Sequence, residues 1–211
     1  MSLQSRVSPF GELFAAPARG TMMGNRGGRL HDAHRKLGTR RWSSKQWICC
    51  KLDFNGRHRK VWGDSYTELF FLDEVTAFAA GHRPCFECRR KDAERFASLF
   101  SGHGKRASAP DMDAILHAER LVGKTKRTHR LAFAALPDGA MIARDDAALA
   151  VRGRHLLRWS PAGYVEALPR ARGGEADVLT PPAMLKVLSA GYLPQWHGSA
   201  AMTPRPGAVT E

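Results

Sequence analysis

Four cysteines are the residues of this chain best suited to chemistry, and they fall into two groups, Cys49-Cys50 and Cys85-x-x-Cys88. Four are too few for a disulfide scaffold in 211 residues, so the grouping points to metal or thiol chemistry. A C-x-x-C knuckle that opens a helix suits Zn²⁺. Its two thiols converge on one ion, and the helix amino terminus with Arg83, Arg89 and Arg90 favours thiolate. Two ligands are half a site. Adjacent cysteines on a strand point to opposite faces, so Cys49 and Cys50 rarely serve one ion together. Cys50 shares an inward face with Ile48, Leu52 and Phe54 and is the expected third ligand, which leaves Cys49 as a surface thiol. The fourth ligand stays open between Cys49 and a histidine: His31, His34, His58 or His82. A redox reading of Cys85 and Cys88 lacks a thioredoxin-like βαβ setting.

The second chemical signal is charge. Lys and Arg number 33 against 20 Asp and Glu, a formal +13 at pH 7, which favours a polyanionic partner. Residues 1–60 carry 13 of the basic residues and only 3 acidic ones. There Trp42, Trp47, Phe54 and Trp62 interleave with Arg40, Arg41, Lys45, Arg57, Arg59 and Lys60, a composition that holds phosphate while stacking on bases. Arg83 and Arg89 flank the knuckle, and the loop from Lys124 to Arg130 adds Lys124, Lys126 and Arg127. The expected partner is nucleic acid, DNA first. His117, Glu119 and His129 are candidates for acid–base work on a phosphodiester, with no paired carboxylates at fixed spacing beside them. They make a nucleic-acid-processing hydrolase or transferase the enzymatic alternative. His31-Asp32-Ala33-His34 reads as a polar loop, and no G-x-S-x-G, H-E-x-x-H or G-x-G-x-x-G element occurs.

The elements that must position these groups follow from periodicity. Residues 1–45, rich in Gly, Arg and Ser, read as an irregular basic arm. From Trp47 to Phe54 apolar residues alternate as in a half-buried strand, and Asn55-Gly56 is a type I′ turn signal with a return strand from Arg57 to Trp62. Residues 67–72 predict a more buried strand. Asp73 predicts the N-cap of a short helix to Ala80, closed by Gly81 in the left-handed region. Residues 89–100 have helical spacing, and 101–110 read as a linker. A helix from Asp111 to Val122, a cationic loop, and short alternating segments at 141–143, 148–151, 155–159 and 164–167 predict a helix followed by a small antiparallel sheet. Pro181-Pro182 starts a last helix to Ala190, and the chain after Trp196 reads as loose.

The run Thr76-Ala77-Phe78-Ala79-Ala80-Gly81-His82-Arg83-Pro84-Cys85-Phe86-Glu87-Cys88-Arg89 resembles the second half of the Ada-type zinc domain of bacterial DNA alkylation-repair proteins. The shared order is a strand, a short Ala-rich helix, Gly, then Arg-Pro-Cys-x-x-Cys-Arg, and the resemblance spans residues 47–100. It implies a zinc-bound small α+β module that contacts DNA, with Cys85 and Cys88 as the last two ligands and Cys50, or Cys49, as an earlier one. In the family four thiolates bind zinc and one accepts a methyl group. Here the first two cysteines are adjacent and no fourth cysteine remains, so the resemblance implies the local fold more than the reaction.

Taken together, the expectation is an α+β chain. It comprises a basic arm (1–45), an Ada-like metal-binding module (46–104), a helix-plus-sheet module (110–198) and a tail (199–211). Its expected function is zinc and nucleic-acid binding, with a metal-free interaction protein as a further alternative. No stretch of 18 apolar residues occurs, so a soluble cytoplasmic protein without membrane partners is the default.

Overall fold

The computed structural model describes residues 3–57, 60–102 and 106–201. Strands β1 (Arg6–Val7), β2 (Leu13–Phe14), β3 (Met22–Asn25), β4 (Ile48–Cys50), β5 (Leu69–Phe71) and β6 (Arg83–Pro84) form a mixed sheet in the order β2-β1-β5-β3-β4-β6. Helices α1 (Glu74–Ala79), α2 (Arg90–Ser101) and α3 (Ala109–Arg120) follow, then a ribbon of β7 (Leu121–Val122) and β8 (Thr125–Lys126). The second sheet is built from β9 (His129–Ala132), β10 (Met141–Arg144), β11 (Ala147–Arg152), β12 (His155–Ser160), β13 (Gly163–Pro169) and β14 (Glu175–Val178). It is antiparallel throughout, in the order β13-β12-β11-β10-β14-β9. Helix α4 (Pro182–Ser189) packs on α2 and α3. The class is α+β, as expected.

The short helix α1 is the hub. All six of its residues are buried, because it lies between layers, with Val75, Ala77, Phe78 and Ala79 packed on different neighbours and Glu74 and Thr76 hydrogen-bonded. Val75 and Ala79 pack with Met141, Ala148 and Leu157 of the second sheet, Ala77 packs with Leu69 and Phe71 of the first, and Phe78 joins Phe96, Met112 and Met184 from the other helices. The expected boundary between residues 104 and 110 is therefore not a boundary in the packing. Asp73 caps α1 by accepting from the Thr76 N–H at 2.9 Å, as expected, and its other oxygen accepts from Tyr164 O–H and His197 N–H at 2.9 and 3.1 Å. Glu74 accepts from Tyr192 O–H at 2.8 Å and Gln195 N–H at 2.9 Å. Two buried carboxylates thus tie the start of α1 to Tyr164 and to residues 192–197.

Other expectations need correction. The basic arm is not irregular: it supplies β1, β2 and β3, half of the first sheet. Strand β4 stops at Cys50, so the hairpin lacks its long first arm. Asn55 and Gly56 do form the left-handed turn, with φ of +54° and +62° and Arg57 N–H donating to Phe54 C=O at 3.2 Å. However, β4 pairs with β3 and β6, and no return strand is found among the described residues. The cationic loop is largely ribbon and strand. The expected loose end folds into a 3₁₀ turn, Gly198–Ala201, in which the Ser199 hydroxyl accepts from Tyr164 N–H at 2.7 Å. Residues 202–211 of the expected tail lie outside the described residues.

Candidate metal centre and a cationic cavity

Strand alternation sends Cys49 and Cys50 to opposite sides of the sheet. Cys50 faces the turn before α2, which carries Cys85 and Cys88, and the three Sγ atoms lie within 4.8 Å of one another. All three residues are buried, with Met23, Ile48 and Phe54 packed against them. The knuckle is shaped by the backbone: Cys85 N–H donates to Cys49 C=O at 3.0 Å, which docks it on β4, and Glu87 N–H donates to Cys85 Sγ at 3.4 Å. The thiols of Cys50 and Cys88 also donate to Cys85, which pulls its proton affinity down and pushes that of Cys50 up. Three thiols converging in this way fit a thiophilic cation, since tetrahedral zinc with Zn–S bonds of about 2.3 Å places its sulfurs just under about 4 Å apart.

No fourth Cys, His, Asp or Glu among the described residues joins the cluster. Instead it opens onto a cavity of about 240 Å³ lined by residues that include Phe54, Phe70, Glu68, Arg57 and Glu87. Arg57 closes the rim by pairing with Glu87 at 2.7 Å.

The fourth-ligand candidates sit elsewhere. Cys49 is not a surface thiol: it is fully buried among Val7, Met22 and Phe71, near the Arg89 guanidinium. His31 spends both ring nitrogens on Thr67 Oγ1 and Gly63 C=O, at 2.7 and 2.9 Å, and stacks on Trp62. His34 is in an exposed turn closed by Asp32. His82 lies between Trp47 and Phe71, where burial and then Arg26 keep it neutral well below the usual histidine range. His58 and Arg59 lie outside the described residues.

Two expected phosphate ligands are also withdrawn into the core. Arg83 makes a bidentate pair with Asp113, at 2.8 and 2.7 Å, and is 1% exposed. Arg89 pairs with Glu74 and Asp92 at 2.7 and 2.9 Å. Both guanidiniums are structural, because buried charge needs a partner. Trp47 and Trp62 are likewise buried rather than free to stack on bases.

Three of the remaining cations converge. Arg41 and Lys124, both exposed, and Lys126, half-buried, line a cavity of about 630 Å³ with Trp42, Trp47, Arg26 and Arg120. Lys45 is joined to it through its carbonyl, which accepts from Arg120 at 2.7 Å, and Arg127 through its N–H to Arg120 C=O. Arg26 and Arg120 each lie 3.9 Å from the Trp47 ring centroid. Both guanidiniums therefore make cation–π contact with the one indole. Gly81 makes room for this arrangement. It adopts φ of +86°, its C=O accepts from Arg120 at 2.8 Å, and a Cβ there would meet the Arg120 side chain at 2.5 Å. Arg40 and Lys60 are exposed but do not line this cavity.

No family model, curated protein or solved structure matches this chain.

The expected acid–base residues do not form one constellation. The His117 ring lies beside Trp42, and its Nδ1 faces Arg120 at 2.9 Å; burial and then Arg120 lower its proton affinity. Glu119 accepts from Ala183 N–H at 2.8 Å and so anchors the start of α4, while His129 Nε2 meets Glu119 C=O at 2.8 Å. Arg26 is the residue that sequence reasoning missed, and Arg120, which the sequence groups with His117, Glu119 and His129, is a buried cation rather than an acid–base group. Arg26 stands in a Gly-rich stretch and Arg120 at a helix end, so nothing in their spacing marks either as buried.

Proposed function

We propose that the chain is a zinc-binding protein that docks on nucleic acid, DNA in a repair or regulatory setting. The observation that carries this is the convergence of Cys50, Cys85 and Cys88 within 4.8 Å. A zinc ion there would cross-link β4 to the knuckle and leave one coordination position toward the cavity. The Ada-type resemblance supports the same reading, because its order of strand, Ala-rich helix, Gly and C-x-x-C is the order from β5 to α2. For nucleic acid the support is the net charge of +13 and the gathering of Arg41, Lys124 and Lys126 with Arg26 and Arg120 around one aromatic cavity.

Elemental analysis of protein purified without added metal tests the first part. One zinc per chain is expected, lost in Cys85→Ser; a zinc-free wild type sinks the metal assignment. Duplex and single-stranded DNA binding at graded salt tests the second part. Affinity should fall steeply between about 50 and 200 mM salt as counterions are released. A flat salt response would remove nucleic acid from the proposal.

A further inference from the structure

Buried cations in this molecule come in two kinds. Arg83 and Arg89 have carboxylate partners. Arg26 and Arg120, each 1% exposed, have none among the described residues. Arg26 donates to His82 Nε2 and to the carbonyls of Arg41 and Gly11, at 3.3, 3.3 and 2.8 Å. Arg120 bonds the carbonyls of Gly81 and Lys45 and the ring of His117, and its buried Nε has no hydrogen-bond partner. Lys126 adds a third cation, donating to Ala79 C=O. Asp113, the carboxylate whose charge reaches Arg120, has both oxygens on Arg83. The acidic residue that lines the cavity is Glu12, and it is exposed.

Carbonyls and imidazoles satisfy hydrogen bonds but do not neutralise charge, so three clustered cations leave a net positive field inside the wall. Among the described residues no carboxylate pairs with these three cations, and Asp113, whose charge reaches Arg120, is already bound to Arg83, which leaves a ligand to supply the balance. We infer that this cavity binds a terminal phosphate, the phosphomonoester dianion carried by a nucleotide or by the end of a nucleic-acid strand. A dianion answers three cations better than the single charge of an internal phosphodiester. The volume of about 630 Å³ suits one nucleotide-sized ligand. Half-buried Trp42 offers a ring for the base, and exposed Arg41 and Lys124 draw the anion to the mouth. That the phosphate belongs to a nucleic acid rests on the function proposed above; the charge deficit does not.

The test is titration of the full chain with four probes: inorganic phosphate, a 5′-mononucleotide, a 5′-phosphorylated single-stranded oligonucleotide, and the same oligonucleotide with a 5′-hydroxyl. The mononucleotide and the phosphorylated strand should bind at least about tenfold more tightly than the hydroxyl strand, the worth of one or two charge-assisted hydrogen bonds. Lys124→Ala and Arg41→Ala, both at exposed positions, should each weaken the phosphorylated probes severalfold and leave the fold intact by circular dichroism. Arg120→Met should remove the preference for a terminal phosphate. Equal binding of the two oligonucleotides overturns the inference while the nucleic-acid reading stands. Binding of the mononucleotide with neither oligonucleotide upholds the phosphate site and ends the nucleic-acid reading. Inorganic phosphate binding as tightly as the mononucleotide overturns the nucleotide assignment, and no binding by any probe overturns the site.

Discussion

Two cavities of this chain are lined by opposite deficits. In the first, three thiols crowd together and share protons among themselves, an arrangement that a cation would complete. In the second, Arg26, Arg120 and Lys126 crowd together around Trp47 and the end of α1, an arrangement that an anion would complete. Each is assembled from distant segments: residues 50 and 85–88 in one, residues 26, 120 and 126 in the other. What separates them is legibility. A C-x-x-C spacing announces its chemistry, whereas an arginine that will be buried looks the same in sequence as one that will be solvated.

The sharpest way to break the comparison is to remove the cation. With free zinc about a thousandfold above its dissociation constant, the bound ion should stabilise the fold by about 4 kcal/mol. Chelation or Cys85→Ser should then lower Tm by about 10 °C, read by scanning calorimetry. An unchanged Tm would mean that the thiol cluster holds nothing that matters to the fold.

Next comes the contrast between paired and unpaired arginines. Asp113→Ala strands the Arg83 guanidinium and should cost about 3 kcal/mol or more in urea unfolding. Arg120→Met removes a charge that has no carboxylate partner, so without added anion it should cost clearly less. Equal costs would show that Arg120 is compensated after all.

A smaller effect concerns pH. Burial, then the charges of Arg120 and Arg26, pull Lys126 down to about 7. Burial and then Arg26 bring Arg120 down to about 8, and burial and then Arg41 bring Arg26 to about 9. Groups whose affinity for protons is lower in the folded chain leave the unfolded chain holding more protons above pH 7, so stability contributed here rises with pH. Tm measured between pH 7 and 9 should therefore climb more in chloride than in sulfate at matched ionic strength, because sulfate does not titrate in that range and would hold these groups charged. Identical slopes in the two salts would count against the anion site. The smallest effect expected is that of Cys49→Ala, about 1 kcal/mol with zinc content unchanged, since this buried thiol faces away from the cluster.

Much of the architecture was legible where patterns ran long enough. The Asp73 cap, the Gly81 stop, α2, α4 and strands β10 to β13 all follow from capping residues, helical spacing or alternation. Strands β1, β2 and β3 were not legible, since two to four residues are too short to display a period. Gly24 argues against a strand by propensity, yet β3 needs it: a Cβ there would meet Ile48 C=O at 2.1 Å and the Phe71 ring at 2.8 Å. Cys50, Cys85 and Cys88 were legible as a group because strand alternation and knuckle spacing are local rules. Arg83 and Arg89 were misread as surface cations because their partners, Asp113 and Glu74, lie 30 and 15 positions away.

The hub position of α1 also bears on how the chain comes off the ribosome. Asp73 and Glu74 are buried, and they find their partners in Tyr164, Tyr192, Gln195 and His197. Residues 69–79 therefore emerge long before the groups that satisfy the two carboxylates at the start of α1. Synthesis through the cysteine knuckle leaves an open, thiol-bearing nascent segment, and final burial of α1 awaits the last described residues.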